Sequence, residues 1–228
     1  MKKFWSYISG NSYSIGCTGQ TVYVYDKDGQ ELAKFKDIKY GYNAVFSPAE
    51  DLFVIKSTAG QLAAYTLEPL QLMKRFRFSR VDGSQDDGYC FSADGKIFYN
   101  VERHGESYLS AISAYETGSF TRVKMYFADD DNIRPSHIEC DAKGQLFVLG
   151  VFIEDGYYFI AKLGADGLED VRCISEEEHD FYRDFKHLEL TGFTQKAKEW
   201  SGFRFRNIDT TGMENRRLPL SELWKSKG

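Results

Sequence analysis

Short apolar runs separated by turn residues recur along most of the chain. In YSIGCTGQTVYVYDKDGQELAKF, residues 13–35, two such runs are broken by CTGQ and a third follows YDKDGQ. Alternation of apolar and polar residues over this length, bounded by Gly, Asp and Ser, is typical of β-strands joined by tight turns. The pattern therefore predicts a succession of short strands and no long helices.

The strand pattern also repeats along the chain. FSPAEDLFV from Phe46, FSADGKIFY from Phe91 and CDAKGQLFV from Cys140 align with one another, and ISGNSYSI from Ile8 is a weaker copy. Each copy is followed by a second alternating run, a turn and a further run, so that every unit contains a four-stranded pattern. Such units, spaced about 40 to 50 residues apart, are typical of β-propeller blades. A sheet that is apolar on both faces must stack on a neighbour, which is the physical reason for repeating it.

Two segments resemble the WD-repeat and related bacterial β-propeller families. VYVYDKDG, Val22–Gly29, resembles the end of the third strand in those families, where an aromatic–Asp pair precedes a turn. Tyr25 and Asp26 stand at that pair. FSADGK, Phe91–Lys96, resembles the turn between the first and second strands. The resemblance covers about residues 4–175 and implies a propeller built from four-stranded blades.

These patterns together predict an all-β fold. We expect one domain over residues 1–228, a β-propeller of about five four-stranded blades with an irregular last blade that includes short helical segments. The clear blades cover about residues 4–175, and the irregular fifth blade and C-terminal segment cover about residues 176–228. An open or differently closed array and a β-sandwich are the alternatives.

The last part of the chain mixes helix and strand signals. Ser175 precedes Glu178 at the spacing of a capping box, which predicts the start of a short helix. HLELTGF and GFRFRNID then predict strands, and LSELWKSK predicts a short final helix. This segment is therefore expected to complete the fold irregularly.

Negative charge is concentrated in the predicted links between blades. The chain has 34 acidic and 29 basic residues and a formal charge of −5, which disfavours binding to nucleic acid phosphates. The links at residues 81–88, 128–133 and 175–184 carry −3, −3 and −4, so the rest of the chain is net positive. Because all blade-to-blade links emerge on one face of a propeller, we predict an acidic face. Simple solvation of these loops is the alternative.

An acidic face attracts basic protein surfaces and speeds their association. We therefore predict a non-catalytic interaction module that binds a partner protein, with a basic toxin or regulatory partner as examples. Tyrosines near the blade entrances are expected anchors because they combine a rigid ring with a polar tip. Packing between blades is the alternative for these tyrosines. The predicted partner-binding residues are Tyr40, Tyr42, Asp86, Asp87, Tyr89, His104, Asp129, Asp130, Asp131 and Arg134.

Enzymatic chemistry has less support in the sequence. The alternative function is a small-ligand or carbohydrate-binding, glycosidase-like propeller whose central channel carries Glu139 and Glu189 as the paired carboxylates. The chain contains no nucleophile motif, cofactor loop or metal-ligand spacing of histidines. The run 129–132 offers oxygen ligands suited to calcium but lacks the spacing of an EF-hand. We therefore predict no cofactor, no metal and no catalytic residue.

The sequence also bears on the cellular compartment. No apolar run approaches the roughly 20 residues of a membrane span, and MKKFWSYISGNSYSIG lacks the apolar centre of a signal peptide. The four cysteines are far apart and form no C-x-x-C motif, so we expect them to be reduced. These features predict a cytoplasmic protein without membrane contact, either a monomer or a weak homo-oligomer.

Overall fold

The computed structural model describes residue 4 and residues 6–57, 60–77, 88–103, 110–182 and 218–228. Over these residues the chain is mostly β, with four antiparallel four-stranded sheets and two short helices. The first two sheets contain β1 Ser6–Ser9, β2 Tyr13–Cys17, β3 Val22–Asp26, β4 Glu31–Phe35, β5 Gly41–Phe46, β6 Leu52–Ser57, β7 Gln61–Leu67 and β8 Leu70–Arg77. The other two contain β9 Tyr89–Phe91, β10 Ile97–Arg103, β11 Ser110–Glu116, β12 Thr121–Tyr126, β13 Ile133–Cys140, β14 Leu146–Phe152, β15 Tyr157–Leu163 and β16 Leu168–Ile174. The helices are α1, residues 176–182, and α2, Leu220–Ser226.

Each sheet is a simple meander. Its strands follow one another in chain order, and each pairs with the next in the antiparallel sense. Antiparallel neighbours need only a short turn between them, which accounts for the Gly, Asp and Ser residues between the apolar runs. The predicted repeat of four strands is therefore confirmed for all four aligned segments.

One polar residue fixes the first turn in three of the sheets. Ser47, Ser92 and Asp141 occupy the same place in the aligned segments. The side-chain oxygen of each accepts a hydrogen bond from a backbone amide at the far end of its own turn, at 3.2, 2.9 and 2.8 Å respectively. The repeat signature thus marks a turn stabilised by its own side chain.

The chain divides into two compact units, and the first contains β1–β8. The core of this unit lies between its two sheets. Val24 of β3, Phe53 and Ile55 of β6 and Tyr65 of β7 belong to one fully buried cluster. Alternate side chains of each strand enter this core, as the period-two geometry of a strand requires.

The second unit contains β9–β16 and both helices. Val101 and Ile112 from its first sheet pack against Ile138 and Val148 from its second sheet. The opposite face of the second sheet packs against the helices, where Leu149 and its neighbours meet α2. The sheet β13–β16 is therefore covered on both faces, which explains why β14 begins with five consecutive buried residues.

Both predicted helical segments are confirmed. Ser175 Oγ accepts a hydrogen bond from the Glu178 amide at 3.1 Å, and the Glu178 carboxylate accepts one from the Ser175 amide at 2.9 Å. This reciprocal pair is a capping box at the start of α1. The predicted strands HLELTGF and GFRFRNID of the fifth blade lie outside the described residues. No described helix is long and apolar enough to cross a membrane.

Candidate functional site

Strand register brings three connections to the same end of the sheet β13–β16. Ile133 at the start of β13 pairs with Phe152 at the end of β14, and Phe152 pairs with Tyr157 at the start of β15. Tyr158 pairs with Ile174, the last residue of β16. The loop 128–132, the turn 153–156 and the start of α1 therefore emerge together. We call this region the acidic end; its acidic residues are Asp129, Asp130, Asp131, Glu154, Asp155, Glu176 and Glu177.

Hydrogen bonds hold these connections against one another. The amide of Ile153 donates to the Asn132 carbonyl oxygen at 2.8 Å, and the amide of Glu154 donates to Asn132 Oδ1 at 2.9 Å. The Tyr158 hydroxyl donates to the Glu176 carboxylate at 3.0 Å. The loop, the turn and the helix start thus form one continuous surface.

The aspartates of the loop 128–132 have different roles. Asp130 Oδ1 accepts hydrogen bonds from the amides of Asn132 and Ile133 at 2.9 and 3.0 Å, so this carboxylate shapes the loop. Asp129 and Asp131 are exposed, and neither carboxylate accepts a bond of this kind from a described residue. They are the aspartates available for a partner.

The acidic end carries largely uncompensated negative charge. Among the described residues, no basic side chain forms an ion pair with any of its seven carboxylates. Arg134, exposed at the start of β13, is a nearby cation in the sequence. Two apolar side chains are exposed at the same end, Ile153 at 44% and Tyr157 at 38%. Protein-binding surfaces usually combine exposed apolar side chains with charged ones.

The structure places the predicted binding residues in several different settings. Asp129, Asp130 and Asp131 lie at the acidic end, and Arg134 follows them at the start of β13. Tyr40 is 55% exposed, but it belongs to the first unit. Asp86, Asp87 and His104 lie outside the described residues, as does the side chain of Tyr42.

The prediction that Tyr89 is an exposed anchor is wrong. Tyr89 is 2% exposed, and its ring centre lies 6.1 Å from that of Phe98 on the neighbouring strand. Its ring is buried in the second unit, as is that of Phe91 on the same three-residue strand. Of the alternatives for this residue, packing is the one observed.

Glu154 and Asp155 belong to the acidic end but are not among the residues predicted from the sequence. They occupy the turn between the second and third strands, whereas only the links between repeats were considered. In a four-stranded meander that turn emerges at the same end as the links, so counting strands was the available signal. The corresponding link in the first unit, residues 36–40, contains Lys36, Asp37 and Lys39, so negative charge is not a property of every link.

Glu139, a predicted channel carboxylate, serves as a structural cap. Its Oε2 accepts a hydrogen bond from the Leu220 amide at 2.9 Å, and its Oε1 lies 3.3 Å from His137 Nε2. Glu189, its proposed catalytic partner, lies outside the described residues. Over the part of the chain that is described, no group of three or more His, Cys, Asp or Glu side chains is placed to hold a metal ion.

A serine of β13 is hydrogen-bonded in series with a histidine and an aspartate of α1. A β-bulge between Pro135 and His137 turns Ser136 toward the helix, where its Oγ lies 2.7 Å from His179 Nε2. His179 Nδ1 lies 3.2 Å from Asp180 Oδ1. This is the order of a nucleophile, a base and an orienting acid.

The surroundings of this series favour a structural role. Ser136 Oγ is also within 3.3 Å of the Leu149 carbonyl oxygen, and the buried His179 ring lies 4.7 Å from the Tyr158 ring. A nucleophilic serine needs an opening where a substrate carbonyl can reach it. The cavity of about 520 Å³ beside α1 is lined by residues such as Phe181 and Leu223, and Ser136 is not among them. The series therefore fastens α1 to β13.

A buried carboxylate organises the other sheet of the second unit. Glu102 on β10 accepts hydrogen bonds from Asn100 Nδ2 and Ser113 Oγ, both at 2.6 Å, and from the Tyr115 hydroxyl at 3.0 Å. Burial and the Glu102 charge raise the pKa of Tyr115 well above its ordinary value. Because a buried charge is tolerated only when hydrogen-bonded, these side chains act as a unit that fixes the sheet.

Comparison with known proteins bears on the fold alone. No family model and no curated protein matches the chain. Among solved structures, 913 chains match, so the arrangement of strands is widely shared. One is the hydrazine synthase of Kuenenia stuttgartiensis, similar with a TM-score of 0.57 and 15% identity over 72% of this chain. The match spans about half, 47%, of that hydrazine synthase chain.

Proposed function

We propose that the chain is a WD-repeat-like β-propeller that acts as a non-catalytic protein-interaction module in the cytoplasm. The four meander sheets are its blades, and each unit stacks two of them face to face, as neighbouring blades do. The four cysteines are free, in keeping with a reducing compartment. The protein works as a monomer or a weak homo-oligomer.

The partner is a basic protein that docks on the acidic end. The observation that carries this proposal is the convergence of seven carboxylates from three connections, without an ion pair to a described basic residue. Carboxylates that form no ion pair with a described basic residue produce a field at the surface, which attracts opposite charge and raises association rates. Ile153 and Tyr157 supply the apolar contact that charge alone does not provide.

Neutralising part of the acidic end tests the proposal. The variant is Asp129→Asn, Asp131→Asn and Glu154→Gln, and Asp130 is kept because its carboxylate shapes the loop. Full-length protein captures partners from the native extract at low and at moderate salt. We expect one basic protein that is lost at moderate salt, with an association rate about tenfold lower for the variant at low salt.

A matched control variant removes three negative charges outside the acidic end. Asp28→Asn, Asp166→Asn and Glu169→Gln replace three exposed acids, the last two at the opposite end of β13–β16. The control is expected to capture the partner as the wild type does. Equal capture by both triple variants, or a captured protein that resists moderate salt, would reject the acidic end as the docking surface.

A further inference from the structure

Helix α2 lies in a groove formed by α1 and one face of β13–β16. Phe147, Leu149 and Ile160 form the floor and Tyr182 of α1 lies along the wall. Leu220 and Leu223 of α2 are buried there. We call this surface the helix groove. α1 contributes Glu176 and Glu177 to the acidic end and Glu178 and Tyr182 to the helix groove, so the two surfaces adjoin along this helix.

The groove supplies the N-terminal cap of its helix. Pro219 stands at the N-cap of α2 and provides no side-chain cap. The Leu220 amide instead donates to Glu139 Oε2 at 2.9 Å, and Glu139 belongs to β13 in the groove. A carboxylate beside a helix N-terminus also interacts favourably with the helix dipole. Because Glu139 binds a backbone amide, this cap does not depend on the side chains of the helix.

The groove supplies contacts at the C-terminal end as well. Arg172 of β16 donates from Nη1 to the Trp224 carbonyl oxygen. The Trp224 ring has Lys162 Nζ 4.1 Å and Arg172 Cζ 3.5 Å from its centre, and its Nε1 donates to the Asp170 carbonyl oxygen at 2.8 Å. Glu178 of α1 accepts a hydrogen bond from Lys227. Cation–π contacts of this kind select an aromatic ring and, here, Trp in particular.

We propose that the helix groove is a binding site for short helices of partner proteins and that α2 is its intramolecular occupant. The ligand has Leu at its first position, Leu and Trp three and four positions later, and a basic residue three positions after Trp, as in Leu220, Leu223, Trp224 and Lys227. A helix of seven residues is unstable alone, so it folds as it docks. The groove makes this docking favourable because it satisfies backbone groups at both helix ends and takes apolar residues at the i, i+3 and i+4 positions.

The covalent link gives α2 an advantage over any partner helix. An intramolecular segment competes at an effective concentration in the millimolar range. A partner helix must overcome this competition, so wild-type protein is expected to bind it weakly. Removing the leucines of α2 should open the groove and strengthen binding by at least about tenfold.

A peptide with the sequence of residues 218–228 tests the proposal in trans. The full-length variant Leu220→Ser with Leu223→Ser is titrated into the fluorescently labelled peptide, and anisotropy reports binding. We expect saturable binding to the variant and at least about tenfold weaker binding to wild type. A peptide with Ser at both leucine positions should not bind. The control protein Glu222→Gln with Lys225→Gln changes exposed α2 residues and should behave as wild type.

Folding is checked on the same samples by circular dichroism, and the peptide should raise the melting temperature of the open variant but not that of wild type. Should the double variant fail to fold, Trp224→Ala opens the groove more mildly and is used in its place. A folded open variant that does not bind the peptide overturns the proposal. Equal binding by wild type, control and open variant also overturns it, because the peptide would then occupy another site.

Discussion

Replacing Tyr115 and Tyr65 by Phe, one at a time, compares two buried hydroxyl groups that differ in hydrogen bonding. Tyr115 on β11 donates to both oxygens of the buried Glu102 carboxylate at 3.0 Å. Tyr65 on β7 is fully buried against Phe53, with ring centres 4.8 Å apart. Burial and the nearby Asp37 carboxylate raise the pKa of its hydroxyl, but this hydroxyl makes no hydrogen bond of ordinary length and angle to a described residue. The same chemical change therefore removes an important bond in one case and none in the other.

The expected costs follow from this difference. Tyr115→Phe leaves a buried carboxylate with one donor fewer, and a hydrogen bond to a charged group contributes about 1.5 to 3 kcal/mol. Tyr65→Phe removes a buried oxygen that is already unpaired, so the free energy of unfolding should stay within about 0.5 kcal/mol of wild type or rise. The shapes of both cores are preserved, because Phe differs from Tyr only by the hydroxyl.

Urea denaturation followed by circular dichroism measures both variants. We expect a lower midpoint for Tyr115→Phe at an unchanged slope, and a midpoint for Tyr65→Phe equal to or above that of wild type. If Tyr115→Phe costs as little as Tyr65→Phe, the hydrogen bonds from Tyr115 to Glu102 do not stabilise the sheet β9–β12, and the reasoning about the buried carboxylate is refuted.

Three further predictions concern the second unit. Partial burial alone would raise the pKa of Glu178, but the hydrogen bond from Lys227 lowers this pKa below its ordinary value of 4.5. The interaction therefore stabilises the folded state above pH 4.5, and this stabilisation is lost as the pH falls through the lower pKa of the folded state. Glu178→Gln should thus differ from wild type by at most about 1 kcal/mol at neutral pH and converge with it in acid; a difference independent of pH would contradict this. Gly150→Ala places a Cβ 2.7 Å from a backbone oxygen and should cost about 1 to 3 kcal/mol in thermal unfolding, whereas Gly118→Ala meets only a flexible side chain at 3.2 Å and should be nearly neutral. Ser175→Ala removes the cap of α1 and should cost about 1 kcal/mol, and Ser175→Asp, which retains a cap, should not.

The repeat could be read from the sequence because its determinants are local. Ser47, Ser92 and Asp141 each act on an amide within the same turn, and alternation along a strand depends only on strand geometry. The capping box at Ser175 is local in the same sense. These features need no knowledge of which elements meet, so they were predicted correctly.

The site was predicted only in part because it depends on contacts between distant residues. The cluster of Asp129, Asp131 and Glu154 arises from strand register, and Glu154 was missed for that reason. The sequence pattern predicted Glu139 as a channel carboxylate, but its side chain accepts a hydrogen bond from the Leu220 amide of α2, a helix far away in the chain. Tyr89 gave no sign of being buried, since a tyrosine in a short strand packs or stays exposed according to its neighbours.

Hydrogen–deuterium exchange on the full-length protein with its captured basic partner tests the acidic end most directly. The account predicts slower exchange on binding in residues 128–132 and 153–158, and unchanged exchange in the turns 141–145 and 164–167 at the opposite end of the same sheet. Protection confined to those opposite turns, with no change at the acidic end, would contradict the proposed docking surface.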